Sequence, residues 1–186
     1  MSRFWEFQQL QDSWKGASHF DQVPRAGKLY IGGVAAFYKE PDPLEQAGIT
    51  HILSVLDFSI NDAPQLKRCK CLNIQVDDDP DEDLLKHFPK TNAFLDDALR
   101  EGGGVFVHCA MGVSRSATVI CAYLIWKFGL SPMEALEKVR EKRKRANPNP
   151  GFMRQLKVWE RMCREKQGWD GDVYREWKEG GGKAKM

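Results

Sequence analysis

Residues 103–116 read Gly103-Gly104-Val105-Phe106-Val107-His108-Cys109-Ala110-Met111-Gly112-Val113-Ser114-Arg115-Ser116. The apolar run at the start of this stretch predicts a buried strand that ends at a cysteine-bearing loop. The chain that follows, up to Phe128, is apolar around the whole circumference of a helix, which indicates a buried central helix. A buried strand, a short loop and a buried helix in this order decide in favour of an α/β fold.

The loop in this stretch has the features of a phosphate cradle. The first backbone N–H groups of a helix have no partner inside the helix, and the helix dipole favours an anion there. The same field stabilises a thiolate and lowers a cysteine pKa from about 8.5 to ~3.5–7.5. Arg115, six residues after Cys109, can fold back and bind phosphate oxygens through two N–H groups, and Gly112 permits torsions that a side chain would resist. We therefore interpret Cys109 as a nucleophile rather than a core cysteine.

The rest of the chain alternates predicted strands with helical patterns. Short apolar runs predict strands at residues 28–31, 49–56, 72–76 and 104–107, and residues 84–100 have helical spacing with Pro89 at the true start or at a kink. Gly129 should end the buried helix, and Ser131 should cap the next one. This alternation predicts a central, mostly parallel twisted sheet flanked by helices.

The length of 186 residues indicates one compact domain. A net charge of +2 does not favour nucleic acid or a membrane as the main partner, and no apolar run approaches the roughly 20 residues that span a bilayer. The start lacks a signal-like apolar core, so we expect a cytoplasmic location. A basic cluster fits favourable charges at a helix end, or alternatively a nuclear-import signal or a site for an acidic partner. Its members are Arg140, Lys142, Arg143, Lys144 and Arg145.

The cysteines do not suggest a disulfide framework or a metal site. Five are present, and only Cys69 and Cys71 lie close together, with no second pair to complete a four-ligand zinc site. We interpret that pair as strand residues. No metal and no other cofactor is expected.

The segment from His108 to Ser116 resembles the signature of the protein tyrosine phosphatase superfamily, and residues 110–116 look like its dual-specificity branch. The similarity extends over residues 27–165, which we take as a catalytic domain between an N-terminal extension packed on it (1–26) and a weakly ordered C-terminal tail (166–186). The opening stretch of this region and residues 149–159 are especially similar to the catalytic domain of members that bear a C-terminal zinc-binding extension. Only Cys163 follows the buried helix, so we expect a compact relative or a truncated form without that extension.

The resemblance implies a cysteine-based phosphatase fold and a role for each site residue. Cys109 attacks phosphorus, Arg115 binds the equatorial oxygens, Ser116 stabilises the leaving thiolate, and His108 shapes the loop. Asn149 braces the loop, although a helix N-cap is an equally good interpretation and both can hold. The phosphate-binding loop comprises Ala110, Met111, Gly112, Val113, Ser114 and Arg115.

The resemblance also requires an aspartic acid as general acid upstream of the loop. The acidic run at residues 77–83 would by itself fit a solvated loop. Alignment with the family selects Asp78, with Asp77 as the alternative. Because side chains alternate faces along an extended segment, Asp78 should point away from its two neighbours.

These residues predict a phosphatase that acts on phosphotyrosine and phosphoserine or phosphothreonine in proteins. A phosphoinositide or RNA 5′-phosphatase is the alternative enzyme, but the loop residues Ala110, Met111 and Val113 are neutral, whereas phosphoinositide-specific relatives carry lysines there. A non-catalytic phospho-binding module is less favoured, because inactive relatives usually lack the cysteine or the arginine. The oligomeric state and the physiological substrate stay open.

Overall fold

The structure is a computed structural model, and it describes residues 20–58, 60 and 63–180. The strands are β1 (Phe20–Gln22), β2 (Leu29–Gly33), β3 (Ile49–Val55), β4 (Lys70–Ile74) and β5 (Gly104–Cys109). The α-helices are α1 (Pro43–Gln46), α2 (Pro64–Arg68), α3 (Phe88–Arg100), α4 (Arg115–Phe128), α5 (Pro132–Arg140), α6 (Pro150–Lys166) and α7 (Gly171–Glu179). Short 3₁₀ helices span Val34–Tyr38 and Leu85–His87.

The five strands form one sheet in the order β1-β2-β5-β3-β4. The pairs β2–β5, β5–β3 and β3–β4 are parallel, and only β1 runs antiparallel to its neighbour β2. The predicted α/β fold with a mostly parallel sheet is confirmed. The central strand β5 is buried along its whole length and ends at Cys109, which lies in register with Gly33 of β2.

Two apolar cores lie on opposite faces of the sheet, because successive strand side chains point to opposite faces. Val105 and Val107 pack into the larger core with the helices α3 to α6. Phe106, between them, packs into the smaller core with Phe37 and Leu44. Helix α4 contributes to the larger core along most of its length, as its uniformly apolar sequence predicted.

The helix signals read from the sequence are present in the structure. Gly129 follows α4 with a φ of +67°, a left-handed conformation that favours glycine. Ser131 accepts a hydrogen bond from the N–H of Glu134, whose carboxylate accepts the N–H of Ser131 in return. Pro89 is the second residue of α3, so it marks the start of that helix and not a kink. Among the described helices, no single one has the length and apolar composition to cross a membrane, although α4 and α5 pass that test as a pair bent by 119°.

The strand bounds differ from the predicted ones by a few residues at most. Strand β4 begins at Lys70, two residues before the predicted start, so that Cys71 is a strand residue and Cys69 immediately precedes the strand. Strand β1 was not predicted as a separate element. It attaches residues 20–22 of the N-terminal extension to the edge of the sheet, whereas residues 1–19 lie outside the described part of the chain.

The prediction of a weakly ordered C-terminal tail is wrong for residues 171–179, which form α7. Asp170 caps this helix by accepting the N–H groups of Asp172 and Val173, and Val173 is buried against the larger core. The Tyr174 hydroxyl donates to Asp83 at 2.7 Å. Packing of Val173 on the core and the contact with Asp83 thus order this segment, while residues 181–186 lie outside the described residues.

Candidate active site

The loop predicted to bind phosphate (Ala110 to Arg115, the phosphate-binding loop) has the carbonyl oxygens of residues 110–113 hydrogen-bonded outward to the surrounding protein. The Ala110 carbonyl accepts the N–H of Val34 at 3.1 Å, and the Val113 carbonyl accepts the N–H of Asn147 at 2.8 Å. Arg143 donates to the carbonyls of both residues between them. Because a trans peptide places its C=O and N–H on opposite sides, the loop N–H groups face the other way, toward the cysteine.

Gly112 permits the turn in this loop. Its φ of +67° lies in the left-handed region, where a side chain is strained. A Cβ at this position would also overlap the backbone of Gly32 and the guanidinium of Arg143. Any other residue at position 112 would therefore push the loop away from β2.

Cys109 lies at the floor of the loop and is only 2% exposed. Its Sγ accepts the N–H of Gly112 at 3.2 Å and lies 3.4 Å from the Ser116 hydroxyl oxygen. Burial by itself would raise the pKa of this thiol. The Ser116 hydroxyl and N–H, the Arg115 charge and the Val113 N–H together outweigh burial and leave the pKa of Cys109 below its usual value. The geometry thus stabilises a thiolate, which is the nucleophilic form.

The Arg115 guanidinium is held beside the loop by two acceptors. Its Nη1 donates to Asp57 Oδ1 and to the Val76 carbonyl, each at 3.0 Å. Asp57 is a site residue that the sequence analysis did not select. The available signal was its place directly after the apolar run of β3, because the carboxyl ends of parallel strands meet at the edge where β5 delivers Cys109.

Asp78 is the member of the acidic run that contacts the phosphate-binding loop. Its Oδ1 accepts the Ser114 hydroxyl at 2.6 Å and the Asn149 side-chain amide at 2.9 Å. Asp77 accepts the N–H of Asp78, and Asp79 accepts the N–H of Asp81, so both hold their own backbone. Strand β4 ends at Ile74, and these local hydrogen bonds, rather than strand alternation, separate Asp78 from its neighbours.

Asn149 combines the two roles considered for it. As the N-cap of α6, it accepts the N–H of Phe152 through Oδ1 at 2.9 Å. Its amide donates to Asp78, and its backbone N–H donates to the Ser114 hydroxyl at 3.0 Å. Asn149 therefore joins the start of α6, the carboxylate and the loop.

The run of residues 77–83 (the acid loop) is anchored to α6 by a buried side chain that the sequence did not reveal. Gln155 accepts the N–H groups of Leu84 and Leu85 at 2.9 and 2.8 Å, and it donates to the Glu82 carbonyl at 2.7 Å. Gly151, near the start of α6, lies directly against the backbone of Pro80. These contacts fix the position of the acid loop relative to α6.

His108 precedes Cys109 and is completely buried. Its Nε2 lies 2.6 Å from the Ser54 hydroxyl oxygen, and its ring packs against Phe37 and Phe106. Burial lowers the pKa of His108 to about 3, so the imidazole is neutral at pH 7.

Arg143 is part of the site, and the interpretation of its charge as a helix-end charge is wrong. It lies beyond the last residue of α5, Arg140, and is only 2% exposed. Its Nε donates to the Gly112 carbonyl at 2.5 Å, Nη2 to the Met111 carbonyl at 3.1 Å, and Nη1 to Asp21 Oδ2 at 2.6 Å. Position in a basic cluster alone gave no sign that this member would be buried.

The other cysteines lie apart from this chemistry. Burial raises the pKa of both Cys121 and Cys163 to about 12. The thiols of Cys69 and Cys71 donate to backbone carbonyls. All five cysteines are free thiols, and the described residues contain no group of three or more His, Cys, Asp or Glu side chains placed to hold a metal ion.

Known proteins are similar to this chain in sequence and in fold. The sequence profile of the dual specificity phosphatase catalytic domain matches residues 29–162. Tyrosine-protein phosphatase YVH1 of Saccharomyces cerevisiae is 34% identical over 170 residues, which cover 82% of this chain and 47% of the yeast protein. Dual specificity protein phosphatase 1B of Arabidopsis thaliana is 39% identical over 154 residues, covering 83% of this chain and 87% of the plant protein.

A solved structure agrees with these sequence matches. The Yvh1 phosphatase domain from Chaetomium thermophilum has a TM-score of 0.72 and 39% identity, and the match covers 78% of this chain and 98% of that domain. The chain thus spans about half the length of the yeast relative and nearly all of the isolated fungal domain.

Proposed function

The chain belongs to the dual-specificity phosphatase family, and from that premise we propose that it removes phosphate from phosphotyrosine and from phosphoserine or phosphothreonine in proteins, through a phosphocysteine intermediate. The observation that carries this proposal is the loop around Cys109. Its carbonyls are bonded outward, its N–H groups converge on the sulfur, and the pKa of the thiol is lowered. A site that stabilises a thiolate in this way is also a binding site for the oxygens of a phosphate group.

In the first step, the Cys109 thiolate attacks phosphorus in line with the oxygen that leaves. An S–P bond forms and the P–O bond to the substrate side chain breaks. The equatorial phosphate oxygens receive hydrogen bonds from the loop N–H groups and from Arg115 donors not engaged by Asp57 and Val76. Asp78 gives its proton to the leaving oxygen, which becomes the hydroxyl of tyrosine, serine or threonine.

In the second step, water attacks phosphorus and the S–P bond breaks. Asp78, now ionised, accepts the proton of that water, and inorganic phosphate leaves. The Ser116 hydroxyl, 3.4 Å from the sulfur, donates to the thiolate that is released. The positive field in both steps comes from the loop N–H groups and Arg115, so the proposal includes no metal or other cofactor.

Two features of the site favour a phosphoprotein over other phosphate monoesters. The side chains at positions 110, 111 and 113 are neutral, so the loop offers no lysine to the further phosphates of a phosphoinositide. The chain between residues 27 and 108 contains no long insert that would build a deep slot selective for phosphotyrosine. A site without such a slot should accept both phosphotyrosine and the shorter phosphoserine and phosphothreonine.

The test is a turnover comparison across phosphotyrosine, phosphothreonine and phosphoserine peptides, a set of phosphoinositides and a 5′-phosphorylated RNA. We expect the phosphopeptides to give the highest kcat/KM. Cys109→Ser should abolish turnover of all of them, because the serine hydroxyl stays protonated, but it should still bind phosphate. A strong preference for phosphoinositides or RNA would overturn the substrate class, and a Cys109→Ser variant with a tenth of wild-type activity would overturn the mechanism.

A further inference from the structure

Arg143 is a buried cation on the carbonyl side of the phosphate-binding loop. Its side chain is 1% exposed, and it donates hydrogen bonds to the carbonyl oxygens of Met111 and Gly112 in the loop. In each of these peptides the carbonyl and the N–H point in opposite directions, and the N–H points toward the sulfur. Arg143 is therefore placed to act on the loop from its carbonyl side.

Each of the two carbonyls belongs to a peptide whose N–H faces the nucleophile. The carbonyl of the Met111–Gly112 peptide accepts a hydrogen bond from Arg143 at 3.1 Å. The N–H of the same peptide donates to Cys109 Sγ at 3.2 Å. The Gly112–Val113 peptide accepts from Arg143 Nε, and the Val113 N–H is among the groups that stabilise the thiolate. Since a peptide is planar, fixing the direction of the carbonyl also fixes the direction of the N–H. A cation on the carbonyl further polarises the N–H.

Asp21 makes the burial of this guanidinium possible. Its Oδ2 accepts Arg143 Nη1 at 2.6 Å, and the carboxylate side chain is itself 14% exposed. Asp21 lies in β1, which pairs with β2 opposite Ile31, and the next residues of β2 pack against the loop. The N-terminal segment thereby reaches the active site through one ion pair.

We propose that Arg143 is a positioning residue that aims the loop N–H groups at Cys109 and that Asp21 of the N-terminal segment holds it in place. This inference rests on the proposed role of Cys109 as the nucleophile. It predicts that loss of Arg143 raises the pKa of Cys109 and weakens oxyanion binding, because the peptides that Arg143 holds through their carbonyls lose their fixed direction.

Arg143 is one of several charged groups around the loop. The charged and titratable groups there are Arg115, Arg143, Arg145, Asp21, Asp57, Asp78 and the neutral His108. The carboxylates of Asp21 and Asp57 are each paired with an arginine. Replacing Arg143 removes one cation and frees two peptide planes, and both changes act against the thiolate.

The test compares Arg143→Met with the double variant Asp21→Leu/Arg143→Met. A buried ion pair that loses one partner is strongly destabilising, whereas an apolar replacement of both partners is often tolerated, so the double variant keeps the test valid if the single one fails to fold. Arg143→Lys keeps a charge without the planar fork that reaches two carbonyls. Lys144→Met is the matched control, since it removes a neighbouring charge that is exposed.

Two readouts that need no turnover test the positioning role of Arg143. The first is the pH midpoint of iodoacetamide alkylation at the peptide containing Cys109, measured by mass spectrometry, and the second is tungstate affinity by calorimetry. In the double variant we expect the midpoint to rise by about one pH unit and the affinity to fall about tenfold. Arg143→Lys should show a smaller rise in the midpoint, and the control should match the wild type.

A double variant that folds with a wild-type midpoint and wild-type tungstate affinity would show that Arg143 serves stability alone, and it would overturn the proposal. A rise in the midpoint equal in Lys144→Met would also overturn it, because general loss of charge would then be the cause. Failure of the wild-type chain to hydrolyse any phosphomonoester would instead count against the proposed function, and these readouts distinguish the two results.

Discussion

A substitution at Gly151 separates the position of the general acid from the chemistry of the nucleophile. A Cβ built at Gly151 would overlap the carbonyl oxygen, carbonyl carbon and Cα of Pro80, all of them backbone atoms that a side-chain rotation cannot move. Nonbonded heavy atoms pack at about 3.5–4.0 Å, so in Gly151→Ala the acid loop must retreat by about 1 Å or more. Asp78, two residues before Pro80, would then lose its hydrogen bonds to Ser114 and Asn149, now 2.6 and 2.9 Å long.

The expected loss follows from this displacement. A shift of about 1 Å in a catalytic group can cost ~10²-fold in rate, and general acid catalysis is worth ~10²–10⁴-fold in total. We therefore expect kcat on a phosphoserine peptide to fall about 10²-fold, and to fall less on an activated aryl phosphate, which needs less protonation. The alkylation midpoint of Cys109 and the affinity for tungstate should not change, because the phosphate-binding loop is not displaced.

Gly168→Ala is the matched control, since a Cβ there meets nothing within 4 Å. It should leave both substrates at wild-type rates. The reasoning would be refuted if Gly151→Ala turned over the phosphoserine peptide at the wild-type rate. It would equally be refuted if tungstate affinity fell in proportion to kcat, because the damage would then lie in the loop and not in the acid.

Three further predictions follow from the same contacts. Asp78→Asn should slow turnover of a phosphoserine peptide by ~10²–10⁴-fold, whereas Asp77→Asn should cost little in the same assay; the reverse ranking would show that the acid is misassigned. Asp57→Asn should raise KM for an aryl phosphate about tenfold, since Arg115, the proposed phosphate-binding arginine, loses its charged partner, and an unchanged KM in steady-state kinetics would contradict that role. The pKa of His108 falls to about 3 on folding, so below about pH 6.5 the unfolded chain binds the extra proton. Between about pH 6.5 and pH 5, above the range in which carboxylates titrate, the free energy of unfolding should then fall by about 1.4 kcal/mol per pH unit as the pH decreases, and urea melts of His108→Gln should lack this loss.

Much of the fold could be predicted because its signals are local. The apolar run of β5, the uniformly apolar α4 and the glycine and serine signals between α4 and α5 depend on neighbouring residues only. They predicted the mostly parallel sheet and the buried helix, and both are confirmed. Cys109 and Arg115 could be selected in the same way, because they lie only six residues apart in the loop that joins β5 to α4.

Other parts of the site depend on contacts between distant segments, which periodicity does not encode. Arg143 and Asp21 are 122 positions apart, and Arg115 and Asp57 are 58 apart. The Arg115–Asp57 pair forms because parallel strands end at the same edge of the sheet, and the Arg143–Asp21 pair forms because β1 pairs antiparallel with β2 beside the loop. The basic cluster looked uniform in sequence, and only packing reveals that one of its arginines is buried under the loop.

The C-terminal segment shows a different reason for a wrong prediction. Residues 171–179 carry few apolar side chains, and a short polar helix is only marginally stable by itself. In the structure, Val173, Tyr174 and Trp177 pack on the core, and Lys178 and Tyr174 contact Asp83. Tertiary packing, rather than local propensity, orders this helix.

The most direct test of the central claim is to trap the covalent intermediate. Ser116→Ala should slow its breakdown, because the departing thiolate loses the hydroxyl at 3.4 Å. Rapid acid quench during turnover of a phosphotyrosine peptide, followed by ³¹P NMR and mass spectrometry of the digested protein, would locate the phosphate. The account predicts one phosphate bound through sulfur on the peptide that contains Cys109, and none in Cys109→Ser. Phosphate on another residue, or sustained turnover without any phosphoenzyme in this variant, would contradict it.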